Sequence, residues 1–347
     1  MRYKLLGKSG LRVSELCLGT MTFGEEWGFG ASGDESRAMY DAFREAGGNF
    51  IDTANIYTNG TSETMLGEFM QGHRDSVVLA TKFSNSAVMG DPNAGGNNRK
   101  AMMREVEASL KRLKTDYIDL YWLHIWDQLT PIEEVMRGFE DLVKSGKVLY
   151  VGISDAPAWY VARANTLAEL RGWSQFVGLQ IEYNLLERTA ENELLPMAKS
   201  LGLTVTPWSP LAGGWLAGKY LDAENEAGKT GRFSAVGSME ALPPDQQRNI
   251  KIAQEVVNIA KEIDVSASQV ALAWFRHNDA SMIPIIGTRK LAQLKDNLDS
   301  LNVQISAEQM NRLNEVSQIT PIFPNNFLNR SFVPKFVYGD LRDKIDA

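Results

Sequence analysis

Short apolar runs alternate along the chain with longer stretches in which apolar positions recur at helical spacing. The first pattern is that of buried strands, the second that of helices with one buried face. Runs at 3–6 and 11–14 flank Gly7-Lys8-Ser9-Gly10 and predict a β-hairpin. The strand-like runs that follow are 17–20, 49–52, 77–82, 117–123, 148–153, 176–181, 203–206 and 282–286. Between them lie predicted helices. One starts near Ser32 and ends at Ala46 before Gly47-Gly48, and one covers 62–70. The next puts Met102, Val106, Leu110 and Leu113 on one face. Thr130-Pro131 opens a helix that buries Val135, Phe139 and Leu142 and stops at Gly146. Further helices are predicted over 157–170, 188–200, 244–263, 267–277 and 291–301, and a short one from Ser306 to 316. Ser32 with Glu35, Ser266 with Gln269 and Ser306 with Gln309 have capping-box spacing.

Strand and helix thus alternate eight times without an internal break in composition. The simplest α/β fold is a single (β/α)8 TIM barrel domain over 1–347, with an N-terminal β-hairpin. A long irregular connection, 207–242, follows the seventh barrel strand. A doubly wound open sheet is the alternative, but no Gly-x-Gly-x-x-Gly follows the first strand. The tail, 320–347, has no clear period. Its Phe323, Phe327, Phe332, Phe336 and Tyr338 are too many aromatics for a solvated tail. It is expected either to cover the substrate mouth as a lid or to pack on the outer helices.

Composition narrows the classes. The 347 residues are 44% hydrophobic and 23% charged, enough for a large core. The net charge of −7 and the lack of a Lys/Arg block argue against nucleic acid as a partner. Cys17 is the one cysteine, so no intrachain disulfide can form, and a reducing cytoplasmic compartment fits. The N-terminus has no long apolar segment of the kind a signal peptide carries, and no run is long enough for a membrane span. A homo-oligomer is compatible with the sequence, which does not specify one.

Chemistry concentrates where strands end. The run 49–52 ends on Asp52, with Tyr57 in the loop beyond it; 77–82 ends on Lys82; the run at 117 leads to His124. In a parallel barrel these ends lie side by side on the face where active sites form. A buried lysine needs a counter-ion, and Asp52 is the natural one. An ammonium beside Tyr57 stabilises phenolate and makes the tyrosine a usable general acid. His124 can donate a hydrogen bond to a carbonyl oxygen. The set can protonate an oxygen but holds no nucleophile, so a hydride-donating nicotinamide would complete it. Three histidines without metal-site spacing argue against a metal centre.

These residues carry a resemblance. Gly19-Thr20, Asp52-Thr-Ala-Asn-Ile-Tyr57, Thr81-Lys82, Leu123-His124, Gln180-Ile-Glu-Tyr-Asn184, Trp208-Ser-Pro-Leu211, Gly218-Lys219-Tyr220 and Gly287-Thr-Arg289 stand in the order found in the aldo-keto reductase superfamily. Within it the chain is most similar to the group of aryl-alcohol dehydrogenase-like reductases and potassium-channel β-subunits. The resemblance implies NADPH-dependent reduction of aldehydes or ketones, reversible toward alcohols, with a small-molecule substrate. An NADPH-binding regulatory subunit is the alternative it permits. It implies that Tyr57 donates the proton, that Lys82 and Asp52 tune it, and that His124 orients the carbonyl. Gly19 and Thr20 fall at the cofactor site, with Ser154, Asp155 and Gln180 at the nicotinamide carboxamide. Asp155 stands where Asn or Arg is commoner. Trp208 would stack on the nicotinamide where many members carry Tyr. Ser209, Pro210, Leu211, Lys219 and Arg232 would line the pyrophosphate. Gly287, Arg289, Gln293, Asp296 and Asn297 would hold the adenosine end, with Arg289 favouring the 2′-phosphate of NADPH. Phe23, Trp27 and Trp126 are assigned to the substrate pocket, with packing as the competing role for the tryptophans.

Overall fold

Buried on both faces, short β-branched and aliphatic runs can satisfy their backbone only by pairing with one another, and here they pair in parallel. The computed structural model describes residues 1–221, 246–279 and 281–345. A hairpin of β1 (Tyr3–Leu5) and β2 (Arg12–Ser14) precedes the barrel. The barrel strands are β3 (Cys17–Gly19), β4 (Phe50–Asp52), β5 (Val78–Phe83), β6 (Ile118–Leu123), β7 (Val148–Ser154), β8 (Phe176–Glu182), β9 (Thr204–Trp208) and β10 (Ile285–Gly287). They pair in parallel in the order β10-β3-β4-β5-β6-β7-β8-β9. Ile283 N–H donates to Val205 O at 3.0 Å, drawing the last gap of the ring together. This is the (β/α)8 barrel expected from the alternation.

The helices α1 (Gly33–Glu45), α2 (Thr61–Phe69), α3 (Arg99–Leu113), α4 (Ile132–Lys144), α5 (Ala158–Arg171) and α6 (Leu194–Leu201) follow β3, β4, β5, β6, β7 and β8 in turn. Helices Gln246–Glu262, Ala267–Asn278, Leu291–Asp299 and Ala307–Val316 follow the later strands. Ser32, Ser266 and Ser306 cap their helices as their spacing predicts. Two boundaries depart from expectation. Thr130 is not the cap of α4; its hydroxyl donates to Asp127 at 2.6 Å, and the helix begins after Pro131. The helix predicted over 188–200 is broken into a 3-10 turn, Thr189–Glu191, and α6. Pro196 lies in the first turn of α6, where a missing N–H costs nothing; deeper inside a helix it would clash with the preceding turn.

The barrel interior below the strand ends is filled by a plug that includes Cys17, Phe50, Ala80, Leu120, Trp122 and Ile285. Leu6 and Val13 of the hairpin region belong to the same cluster and close its lower end. Trp122 lies against β7 and β8. A Cβ on Gly152 would come within 2.3 Å of its ring and one on Gly178 within 2.7 Å, so both strands need glycine there. This solid floor leaves the upper rim as the place for a site. No helix among the described residues is long and apolar enough to cross a membrane.

The tail leaves the upper rim after residue 319 and forms short helical turns, Asn325–Leu328 and Val333–Tyr338. Ile322 N–H donates to Asn192 Oδ1 at 3.2 Å and Asn325 Nδ2 to Asn192 O at 2.7 Å. Phe323, Phe327, Phe332, Phe336 and Tyr338 are all exposed.

Candidate functional site

Strand register sets the site. Asp52 at the end of β4 pairs with Ala80 on one side and Gly19 on the other, and Gly19 pairs with Gly287. Lys82 pairs with Trp122, one residue before the end of β5, and His124 follows β6 directly. Ser154 pairs with Gln180, and Glu182 with Trp208. Residues up to 268 positions apart, Gly19 and Gly287, thereby share one rim.

Lys82 is fully buried, and three oxygens hold its ammonium. They are the Asp52 carboxylate, the Thr53 carbonyl at 2.7 Å and the Tyr57 hydroxyl at 3.1 Å. Burial favours the neutral amine, but Asp52 and Tyr57 outweigh it and hold Lys82 above its ordinary value. An ammonium can only donate, so the Tyr57 oxygen accepts from Lys82 and keeps its own proton for another acceptor. Gln180 Nε2 donates to the second Asp52 oxygen at 3.1 Å, which fixes the carboxylate.

Tyr57 stands in the turn Tyr57–Gly60, where Thr58 and Asn59 take φ of 46° and 57°. Thr58 Oγ1 donates to Phe23 O at 2.6 Å and ties the turn to the loop after β3. The Tyr57 and His124 rings meet edge to face with centroids 5.9 Å apart. Burial, with Lys82 nearby, pushes His124 well below its ordinary value, so the imidazole is neutral. The Asn85 amide nitrogen lies 2.9 Å from Nδ1. In that orientation Nδ1 accepts and the ring proton sits on Nε2.

From this quartet a cleft of ≈ 400 Å³ runs across the strand ends to the turn after β10. Gly19, Thr20, Asp52, Tyr57, His124, Ser154, Asp155, Gln180, Trp208, Ser209, Pro210, Leu211, Lys219, Gly287, Arg289, Gln293, Asp296 and Asn297 line it. Ser154 Oγ is buried there with no hydrogen-bond partner among the described residues. Trp208 Nε1 donates to Asp155 Oδ1 at 3.0 Å. Beyond β9 the chain turns through Gly213 and Gly214, at φ of 63° and 104°. A Cβ on Gly214 would meet Lys219 Cδ at 2.9 Å, so glycine lets the lysine lie across the turn. Burial, and after it the charge of Arg289, lowers Lys219. Among the described residues neither cation has an ion-pair partner, a combination that suits an anionic ligand. Gln293 Oε1 accepts from Arg289 N–H at 3.2 Å. Asp296 accepts from Ser266 Oγ at 2.9 Å and Gln269 Nε2 at 2.8 Å.

Other expected positions fall elsewhere. Phe23 has no accessible surface and packs edge-on against Phe69 with centroids 6.4 Å apart, so it cannot wall an open pocket. Trp126 packs on Tyr160 and Trp159, at 5.4 and 5.5 Å, outside the cleft wall. Trp27 stands edge-on to Tyr57 at 6.4 Å, beside the quartet. Arg232 lies outside the described residues. The sequence reading missed Met21, Thr22, Phe29 and Ser268 in the cleft wall, and Asn85 behind His124. Phe29 shares its loop with Trp27, so its loop position was a signal; Ser268 and Asn85 carry none. Among the described residues no group of three or more His, Cys, Asp or Glu could hold a metal ion.

Comparison with known proteins gives the same picture. The aldo/keto reductase family model matches residues 15–318. Norsolorinic acid reductase of Aspergillus flavus is 37% identical over 335 residues, 93% of this chain and 83% of that protein. Aryl-alcohol dehydrogenase [NADP(+)] of Phanerodontia chrysosporium is 38% identical over 334 residues, covering 91% and 85%. An uncharacterised oxidoreductase of Bacillus subtilis, YrpG, is 40% identical over 331 residues, covering 91% and 96%. With its barrel, its rim of strand-end residues and a family match over most of its length, the chain belongs to the aldo/keto reductase family of oxidoreductases.

Proposed function

We propose that this enzyme uses NADPH to reduce aldehydes and ketones to alcohols, reversibly, with Tyr57 as proton donor. The observation that carries this reading is the Lys82–Tyr57 hydrogen bond at the head of the cleft, backed by Asp52. NADPH would supply a hydride to the carbonyl carbon. Tyr57 gives its proton to the carbonyl oxygen, and Lys82 stabilises the phenolate left behind. His124, neutral and protonated on Nε2, donates to the same oxygen and orients it. Ser154 Oγ, without a partner among the described residues, and the amide oxygen of Gln180, whose nitrogen is taken by Asp52, suit a carboxamide. Trp208 offers a flat face beside them. Ser209, Pro210, Leu211 and the Gly213-Gly214 turn, with Lys219, would follow the pyrophosphate. Arg232 belongs to the same assignment from sequence. Arg289, Gln293, Asp296 and Asn297 would meet the adenosine end, with Gly19, Thr20 and Gly287 beneath. The lone buried Cys17 suits a cytosolic setting.

The substrate class we favour is an aromatic aldehyde. Trp27 and Phe29 lie together near Tyr57, with ring centroids 6.0 Å apart and planes tilted by 43°, and offer an aromatic wall. The name of the aryl-alcohol dehydrogenase relative also points to aromatic compounds. Loss of NADPH absorbance should be faster with aryl aldehydes than with aliphatic aldehydes of equal size. No turnover with any carbonyl compound would defeat the reading.

Cofactor choice is separately testable. A guanidinium binds a phosphate through paired hydrogen bonds worth about 1.5–3 kcal/mol, or roughly tenfold to a hundredfold in affinity. Arg289→Ala should therefore weaken NADPH by that factor and NADH little. Equal loss of both would show that Arg289 does not read the phosphate. Asn85→Leu removes a neutral hydrogen bond from His124, and kcat should fall roughly three- to tenfold with KM nearly unchanged. An unchanged kcat would remove Asn85 from the mechanism.

A further inference from the structure

Two residues that depart from the common family pattern, Asp155 and Trp208, touch each other. Trp208 Nε1 donates to Asp155 Oδ1 at 3.0 Å. An indole N–H can only donate, so a tryptophan here calls for an acceptor, and a carboxylate is the strongest available. The Asp155 backbone is pinned on both sides. Its N–H reaches Gln180 O at 3.3 Å, and its carbonyl accepts from Trp126 N–H at 3.3 Å. Its φ of 39° is unusual for a residue with a side chain and is held by this framework.

Charge distinguishes Asp155 from the other carboxylate at this end of the cleft. Asp52 is neutralised by Lys82, whereas Asp155 has no ion-pair partner among the described residues. Crowding by the cleft walls raises the Asp155 carboxyl, and the Trp208 N–H and Lys82 draw it back. The side chain is nonetheless open to the cleft, and water there tempers the rise.

We propose that Asp155 makes the site selective for the oxidised, positively charged nicotinamide over the reduced one. This rests on the proposed placement of the nicotinamide beside Ser154, Gln180 and Trp208. The reduced ring is neutral and gains no Coulomb attraction from a carboxylate; the oxidised ring carries one positive charge and does. At the effective dielectric of a partly open cleft, this amounts to on the order of tenfold in the affinity ratio. Tighter binding of the oxidised form makes the bound cofactor a stronger reductant, by about 30 mV per tenfold for a two-electron couple. The carboxylate thereby favours carbonyl reduction on the enzyme.

Asp155→Asn tests this, because the amide oxygen still accepts from Trp208 and only the charge is lost. Dissociation constants for NADP+ and NADPH are measured by titration calorimetry on wild type and variant. NADP+ should weaken on the order of tenfold while NADPH stays nearly unchanged. Equal change in both, or no change in their ratio, overturns the proposal. Wild type that binds neither cofactor overturns the placement of the nicotinamide, and this inference with it. Intact NADPH binding by the variant shows that it is folded.

Discussion

Tyr57→Phe should lose about 10²–10⁴-fold in carbonyl reduction, the range expected when a general acid is removed. The phenyl ring keeps its edge-to-face contact with His124 and its place beside Trp27. What disappears is the hydroxyl that accepts from Lys82 and holds the transferable proton. Binding of cofactor should survive, because no contact assigned to the cofactor passes through that oxygen. Steady-state kinetics and a cofactor titration on one preparation separate the two effects. A variant that keeps most of its turnover would move the proton donor elsewhere. A variant that loses cofactor affinity as well would mean that the ring has shifted.

Lys82→Met should damage both stability and activity. Lys82 is wholly buried, and its loss leaves Asp52 buried with only the Gln180 amide as a side-chain partner among the described residues. Breaking one half of a buried pair costs about 3–5 kcal/mol, since the other charge is stranded. The chemical denaturation midpoint should fall accordingly. Adding Asp52→Asn removes the stranded charge and should recover part of the stability. It should not recover turnover, because the phenolate formed at Tyr57 still lacks its ammonium. Recovery of both would reduce the pair to a structural role. An unchanged midpoint in Lys82→Met would mean that Asp52 takes up a proton at little cost.

Local physics was legible in the chain. Strand runs and helix faces follow from apolar spacing over a few residues, and caps at Ser32, Ser266 and Ser306 act within one turn. Asp52 and Lys82 stood out because a charge closing an apolar run demands a partner, and a parallel barrel supplies one. Even local signals competed: Pro196 overruled the helical periodicity around it, and Asp127 drew the Thr130 hydroxyl away from capping.

Tertiary structure decided which side chains share a wall. Phe23 and Phe29 lie six residues apart in one loop, yet one packs on Phe69 and the other faces the cleft. Composition cannot separate them, because both are apolar and the loop has no periodicity. Asn85 gains a role only through the place of His124, 39 positions along the chain. Asp155 and Trp208, 53 apart, read as two unrelated departures until the register of β7, β8 and β9 sets them in contact. Strand order and register are properties of the closed ring, fixed by pairing between distant segments. The sequence by itself therefore determined the repeating units and the charged strand ends, and closure of the barrel decided which of their neighbours meet.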